Sequence, residues 1–307
     1  TVLDTQFDVP VLHRGDRIVL LDAPASPEAY RYSFADFQRG VPILLLAVTF
    51  AVAVVAFGRA RGARALVGLV ASAGVLVLFI VPALLRGSPA LPVALVGTVV
   101  VAYLALYLAH GVNAGTTVAL AGTLVSLGII AALTAAVAAQ AHLTGLGDEA
   151  AQTVRVTAGT IDLQGLLVAG VIVGALGVLD DVTVTQVSAV QALLRASPQM
   201  GRRTLYREAL HVGRDHIAST VNTLVLAYAG ASLPLLILFA QGTAPVGRIL
   251  TGELVAVEVV RMLVGSIGLV LSVPVTTALA AWLLAPPPGD RGDPRPARWE
   301  DFAPREG

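Results

Sequence analysis

Seven stretches of this sequence are each apolar enough and long enough to cross a lipid bilayer as an α-helix, which takes roughly 20 apolar residues. The composition agrees, because 56% of the residues are hydrophobic and 13% are charged, whereas soluble domains carry about 25% charged residues. We therefore expect an all-α integral membrane protein with seven transmembrane helices. They cover about 41–57, 65–85, 91–109, 116–141, 164–190, 216–240 and 253–284.

The distribution of arginine predicts the orientation of these helices, because cytoplasmic loops of membrane proteins are enriched in basic residues. Three Arg follow the first span, five lie between Arg195 and Arg214, and four follow Ala285. Few basic residues occur in the loops at 86–90, 142–161 and 241–252. If the seven spans cross the membrane in alternating directions, every Arg-rich segment lies on the same side of the membrane. We expect a multi-pass protein of the cell (inner or cytoplasmic) membrane, with its N-terminus outside and its C-terminus inside.

The segments that flank the spans differ from them in composition. Residues 1–39 alternate apolar and polar residues around the turn-like "HRGDR", which predicts a short extracytoplasmic β-type segment. An upstream signal or anchor is expected before it. Four aromatic residues later in the same segment are predicted to form a belt at the membrane interface: Tyr30, Tyr32, Phe34 and Phe37. An irregular linker is the alternative. The transmembrane domain covers 40–285, and the Pro-rich, charged tail at 286–307 is typical of a disordered cytoplasmic segment.

Composition also excludes several function classes. The chain has no cysteine, so it can form neither a disulfide nor a thiolate metal site. Its net charge is zero, which gives no indication of nucleic-acid binding. No Walker, HExxH or GxSxG motif occurs, so we expect no cofactor, and an intramembrane enzyme is the least favoured function. The expected partner is the lipid bilayer, while any extracytoplasmic partner or substrate stays open.

Two adjacent carboxylates, Asp180 and Asp181, interrupt the apolar fifth span in "LGVLDDVTVTQ". A charged carboxylate near the bilayer centre costs at least about 2.5–3.5 kcal/mol, and two neighbours disfavour each other's ionisation. The pair is therefore predicted to form a proton or cation site, in which Asp181 is the reversible group and Asp180 favours its protonated form. The alternative is a structural pair that is hydrogen-bonded to neighbouring helices. Thr185 and Ser188 continue a polar stripe from Asp181 at helical spacing.

The sixth span opens with a second group of polar residues, in "GRDHIASTVNTL". We expect these residues to form a polar cavity wall that faces the aspartates: Asp215, His216, Ser219, Thr220, Asn222 and Thr223. Hydrogen bonds to their own backbone or to a neighbouring helix are the alternative.

Glu258 and Arg261 lie three residues apart in the seventh span. Arg261 is a possible counter-charge for the aspartates, and the alternative is that the two residues neutralise each other within the helix.

Three segments, "GALGVLDDVTVTQ", "GRDHIASTVNTLVLAYAGASLPLL" and "VRMLVGSIGLVLSVPVTTALAA", closely resemble the signature segments of the YibE/F family of polytopic membrane proteins. The resemblance covers roughly residues 40–285. The family form has a single acid at the first motif, which corresponds to Asp181, so Asp180 is an addition in this chain. The family implies the fold and carries no established biochemical activity.

A second and more distant resemblance concerns "DDVTVTQ" and "STVNTLVLAYAG", which look like segments of the SecD/SecF export auxiliaries of the resistance–nodulation–division superfamily. It implies that the last three helices form part of a proton-relay bundle and that the chain forms a homodimer. The favoured function is that of a transporter or transport-coupled protein. An auxiliary of protein export or membrane assembly is the alternative.

Overall fold

The computed structural model describes residues 11–24, 27, 31–147, 149–159, 161–241 and 245–285. The predicted cytoplasmic tail at 286–307, residues 1–10 and Tyr30 of the predicted aromatic belt lie outside the described residues. Internal contacts divide the chain between Ala63 and Arg64 into two units, which are described separately.

The first unit contains a two-stranded antiparallel sheet, formed by β1 (Ile18–Asp22) and β2 (Tyr32–Phe37). The "HRGDR" segment forms a turn before β1, in which the Asp16 backbone N–H donates to the His13 carbonyl. The strand that pairs with β1 is the aromatic segment, so the expected β-type structure is present but includes residues that were assigned to the interface belt. Arg39 and the backbone N–H of Phe37 lower the pKa of the Asp36 carboxyl by hydrogen bonding to it.

The first helix, α1 (Gly40–Val75), continues through a π-helical turn (Leu76–Ile80) into α2 (Val81–Leu85). Arg59 interrupts α1 with φ 50° and ψ −132°, a conformation that a residue with a Cβ atom rarely adopts. The break at Arg59 therefore divides this segment into two helices, which lie at the first two predicted spans.

Eight further helices follow in the described residues. They are α3 (Ala90–His110), α4 (Ala114–Gln140), α5 (Glu149–Thr157), α6 (Leu163–Ala196), α7 (Arg202–Ala231), α8 (Leu233–Ala240), α9 (Val246–Thr251) and α10 (Glu253–Leu283).

Five helical segments among the described residues are long and apolar enough to cross a membrane: Gly40–Leu85, Ala90–His110, Ala114–Gln140, Leu163–Ala196 and Glu253–Leu283. The sixth predicted span is divided into α7 and α8 at Ser232, because Pro234 has no backbone N–H with which to continue the helical bonds. The charged segment that precedes this span is the first half of α7 itself. Helix α5 was not anticipated from the sequence.

The second unit is built around α4, α6 and α10, which make the most extensive contacts with one another. Helix α7 packs on α10 and α6, and α3 packs on α6. Fully buried aliphatic side chains such as Ile130, Ile172 and Leu179 fill the space between the central helices. Gly122 and Gly268 allow close approach between α4 and α10, because a Cβ atom at either position would collide with a side chain of the facing helix. This packing fixes the rotation of α6 and therefore the directions of its polar side chains.

Candidate functional site

The two aspartates lie at the middle of the most enclosed helix of the bundle. Helix α6 is 34 residues long, about 51 Å at 1.5 Å per residue, and Asp180 and Asp181 lie next to its midpoint. Fourteen of its residues are buried, which shows that α6 is surrounded by other helices. The carboxyl groups are therefore far from both ends of the helix.

Both aspartates line a cavity of about 470 Å³ that lies between α3, α6 and the part of α1 that follows Arg59. Most of the lining is apolar, and the hydroxyls of Ser72 and Thr98 and the ring of His110 add polarity. No Arg occurs among the described residues of the lining, so the cavity holds acids without a permanent counter-charge. The lining residues are Ala65, Gly68, Leu69, Ser72, Leu76, Thr98, Val101, Ala105, Leu106, Ala109, His110, Val173, Leu176, Gly177, Asp180, Asp181 and Val184.

The two neighbouring carboxyl groups have different surroundings. Asp180 is half-buried, and its Oδ1 atom is fully buried without a hydrogen-bond partner among the described residues. The Thr123 side chain of α4 lies beside this carboxyl group. Asp181 is exposed, because successive residues of an α-helix point about 100° apart. Asp180 is therefore the enclosed acid of the pair, and Asp181 is the accessible one.

A buried polar seam continues from Asp180 into the contact between the central helices. Thr123 Oγ1 lies 2.8 Å from Thr183 Oγ1, and the Thr183 hydroxyl donates to the Asp180 carbonyl at 3.2 Å. The hydroxyls of Ser126 and Thr276 are fully buried and have no partner among the described residues. Since buried polar atoms are normally hydrogen-bonded, these two hydroxyls can each take part in a further hydrogen bond. We use the name buried seam for these residues: Thr123, Ser126, Asp180, Thr183 and Thr276.

Sequence reasoning missed the part of the buried seam that α4 supplies. Thr123 and Ser126 are three residues apart in "GTLVSL", a spacing that places both on one face of a helix. That signal was available, but hydroxyl residues in apolar helices commonly bond their own backbone. Thr123 does so as well, because its hydroxyl also donates to the Ala119 carbonyl at 3.1 Å.

The polar residues of α7 do not join the aspartate cavity, whose described lining comes from α1, α3 and α6. Asp215, Ser219, Asn222 and Thr223 are exposed. Helix α7 instead packs on α6 and α10 through small and aliphatic residues of its other face, including Ala209 and Gly213.

His216 and Thr220 lie between these two faces of α7 and are half-buried. The Thr220 hydroxyl donates to the His216 carbonyl at 2.9 Å, and Nε2 of His216 is buried without a partner among the described residues. The remaining members of the predicted polar set, Thr185 and Ser188, are exposed on α6. Ser188 lines a smaller cavity of about 180 Å³ beside Asn113, which shares His110 and Val184 with the lining of the aspartate cavity.

Glu258 and Arg261 also lie apart from the aspartates. Nη1 of Arg261 is 2.8 Å from Oε1 of Glu258, and both side chains are about 30% exposed. They line a different cavity, where α6 and α10 begin. The structure thus pairs these two charges with each other, and no Arg lines the aspartate cavity among the described residues.

Comparison with curated proteins and with solved structures finds no match to this chain. A family model, that of the YibE/F-like proteins, matches residues 46–286. The match includes the central helices, both aspartates and the whole buried seam. The chain therefore belongs to the YibE/F-like protein family.

Proposed function

We propose that this protein is a transporter or transport-coupled membrane protein in which Asp180 reversibly binds a proton or a small cation. The observation that carries the proposal is the enclosed Asp180 carboxyl at the middle of α6, whose Oδ1 atom is buried and has no partner in the part of the chain that the structure describes. An isolated carboxylate in an apolar environment is expensive, and a bound proton or cation removes that cost. Intramembrane acids of this kind commonly mark ion pathways.

The arrangement around Asp180 supports exchange as well as binding. Asp181 lines the same cavity and is the more exposed of the two acids, so the cavity offers a route by which a proton or a small cation can reach Asp180. The hydroxyls of Thr123 and Thr183 are fully buried and can offer oxygen atoms to a bound ion. The proposal differs from the roles predicted from the sequence, because it assigns ion binding to the enclosed Asp180 and leaves Asp181 as the exposed group.

A flux measurement tests the proposal. The full chain is reconstituted in proteoliposomes with a pH-sensitive dye inside, and proton or cation flux is followed after a gradient is imposed. Asp180→Asn keeps the size of the side chain but cannot ionise, so we expect flux to fall by about tenfold or more. The matched variant Asp181→Asn should retain most of the flux. Full flux in both variants would leave the acids as structural hydrogen-bonding groups, and loss in Asp181→Asn alone would restore the roles predicted from the sequence.

We also propose the seven-span topology, with the N-terminus outside and the C-terminus inside the cell membrane. The segment Gly40–Leu85 has 46 residues, which would make a straight helix of about 69 Å, more than twice the roughly 30 Å of a bilayer core. Its break at Arg59 divides it into two lengths that can each span. The end of α7 and α8 together supply the sixth span. Reporter fusions within 58–64 and 196–214 should read cytoplasmic and one within 145–155 external, and a single reversed position would refute this topology.

The exposed polar stripe of α7 supports a homodimer. Asp215, Ser219 and Asn222 would be costly in contact with lipid, and a second copy of the chain can satisfy them. Because the sequence has no cysteine, Asn222→Cys creates a single reactive site. We expect it to cross-link two chains in native membranes, while the control Val96→Cys, exposed on α3, should not. Equal cross-linking of the two variants would argue against this interface.

A further inference from the structure

A second cavity, of about 590 Å³, lies where α6 begins and where α7 and α8 meet. Its size falls within the range of roughly 300–1,000 Å³ that is usual for small-molecule sites. Among the described residues it shares no lining with the aspartate cavity. It is therefore a separate candidate binding site.

Two opposite charges are the main polar feature of this cavity. Glu258 and Arg261 lie on one face of α10 and are joined by a single ion-pair contact of 2.8 Å. A guanidinium group has five N–H donors and a carboxylate has two oxygens, so the contact leaves hydrogen-bonding capacity on both groups. The hydroxyls of Tyr228 and Ser232 also line the space.

The rest of the lining is mainly aliphatic, with Leu163, Leu167 and Leu235 among its members. A ligand that matches this surface needs an apolar body and two opposite charges close together. The Glu258 carboxylate would repel a purely anionic head group, and the Arg261 guanidinium group would repel a purely cationic one. The charge pattern thus selects against ligands with a single charge.

We propose that this cavity binds a zwitterionic amphiphile, whose anionic group contacts Arg261 and whose ammonium group contacts Glu258. Two sources of this chemistry exist, namely a membrane lipid such as phosphatidylethanolamine and a free solute such as a short apolar peptide. Either one places its apolar part against the leucines of α6 and α8. The site does not depend on the role of Asp180, because the two cavities are lined by different residues.

Binding of defined probes to the purified full chain tests this site. Calorimetric titrations use short-chain phosphatidylethanolamine, the matched anionic phosphatidylglycerol and the dipeptide leucyl-leucine. We expect at least one zwitterion to bind about tenfold or more tightly than phosphatidylglycerol. Preference for the lipid or for the dipeptide identifies the source. Failure of both zwitterions to bind more tightly than phosphatidylglycerol would overturn the proposal.

Charge variants make the test specific. Glu258→Gln removes the negative charge and should shift the preference toward phosphatidylglycerol, whereas Arg261→Gln should weaken every probe by about tenfold. Arg203→Gln, on the exposed surface of α7, is the matched control and should change nothing. Zwitterion binding that is unaffected by both charge variants would place the ligand elsewhere.

A steric variant covers the case in which a charge variant does not fold. A Cβ atom at Gly170 meets no neighbour within 4 Å, so Gly170→Leu should fold, fill part of the cavity and abolish zwitterion binding. Asp180→Asn should bind the zwitterion normally. Retained binding in Gly170→Leu would contradict the proposal, and its loss in Asp180→Asn would show that the two cavities are coupled.

Discussion

Two carboxyl groups of the second unit, Asp180 on α6 and Glu258 on α10, have contrasting surroundings. Glu258 has a guanidinium partner at 2.8 Å, while Asp180 has hydroxyl neighbours and a buried oxygen without a partner among the described residues. A permanent counter-charge keeps a carboxylate ionised, which suits recognition of a charged ligand. An enclosed carboxyl without one is stabilised by a mobile proton or cation. The two proposals follow this difference, one for a site that binds through fixed charges and one for a site whose charge changes.

The largest effect is expected when Asp180 receives a fixed partner. Ser72 lines the aspartate cavity from α1, and Ser72→Arg would bring a guanidinium group into it. Because an ion-paired carboxylate no longer takes up a proton, flux in proteoliposomes should fall on the order of a hundredfold, or about 2.7 kcal/mol in the barrier. Ser72→Met, which adds volume without charge, is the control and should keep most of the flux. Normal flux in Ser72→Arg would mean that a neutral Asp180 is not required.

A smaller effect is expected when the buried seam is forced open. Gly122 contacts Thr276, and a Cβ atom at this position would collide with the Thr276 hydroxyl. Gly122→Ala should therefore lower the free energy of unfolding by about 1–3 kcal/mol, the usual cost of overpacking. Gly128→Ala on the same helix meets nothing within 4 Å and should not destabilise. Thermal unfolding in detergent compares the two variants, and equal unfolding temperatures would show that α4 and α10 are not closely packed at Gly122.

Removing the partner of Glu258 tests the other side of the comparison. Removing one member of a fully buried ion pair lowers the free energy of unfolding by about 3–5 kcal/mol. Because Arg261 and Glu258 are about 30% exposed, we expect Arg261→Gln to cost about 1–2 kcal/mol, with water screening the remainder. Adding Glu258→Gln should recover most of the loss, as measured by a double-mutant cycle of unfolding free energies. A double variant as unstable as Arg261→Gln would show that packing rather than charge stabilises this region.

The smallest effect is expected within the buried seam itself. Thr123→Val removes the hydroxyl that lies 2.8 Å from Thr183 Oγ1. Polar contacts between membrane helices contribute about 0.6 kcal/mol on average, and the same coupling should appear in a cycle of Thr123→Val with Thr183→Val. The control Thr134→Val removes a buried hydroxyl that bonds within α4, to the Ile130 carbonyl. It should show no coupling with Thr183→Val. A coupling of equal size would show that the Thr123–Thr183 contact does not stabilise the helix pair specifically.

Features that depend on neighbouring positions in the chain could be predicted from the sequence. The sequence alone shows the apolar runs of span length and the motifs of the YibE/F family. It also shows that the two aspartates lie at the middle of one such run. The match of the family model to residues 46–286 confirms the family, and the five long apolar helices confirm the membrane-type, mainly helical character. The resemblance to the export auxiliaries stays a prediction.

The boundaries of some helices could not be predicted from the apolar pattern. The sequence predicted an undivided sixth span, whereas the structure divides this segment at Ser232 into α7 and α8. A helix continues or breaks according to local backbone bonding, and the apolar character of a long run does not report on that bonding. Helix α5 is too short to produce a clear periodic signal over the nine residues that it covers.

By itself, the sequence determined that this chain is a membrane-type helical protein of one family with an acid pair inside its fifth apolar run. Only the tertiary structure decided that Asp180 is enclosed beside Thr123 and that Asp181 is accessible. It also decided that the polar residues of α7 are absent from the described lining of the aspartate cavity. The physical reason is that adjacent helical residues differ by about 100° in direction. Which of them is buried depends on the helices that pack around α6, and those helices come from distant parts of the chain.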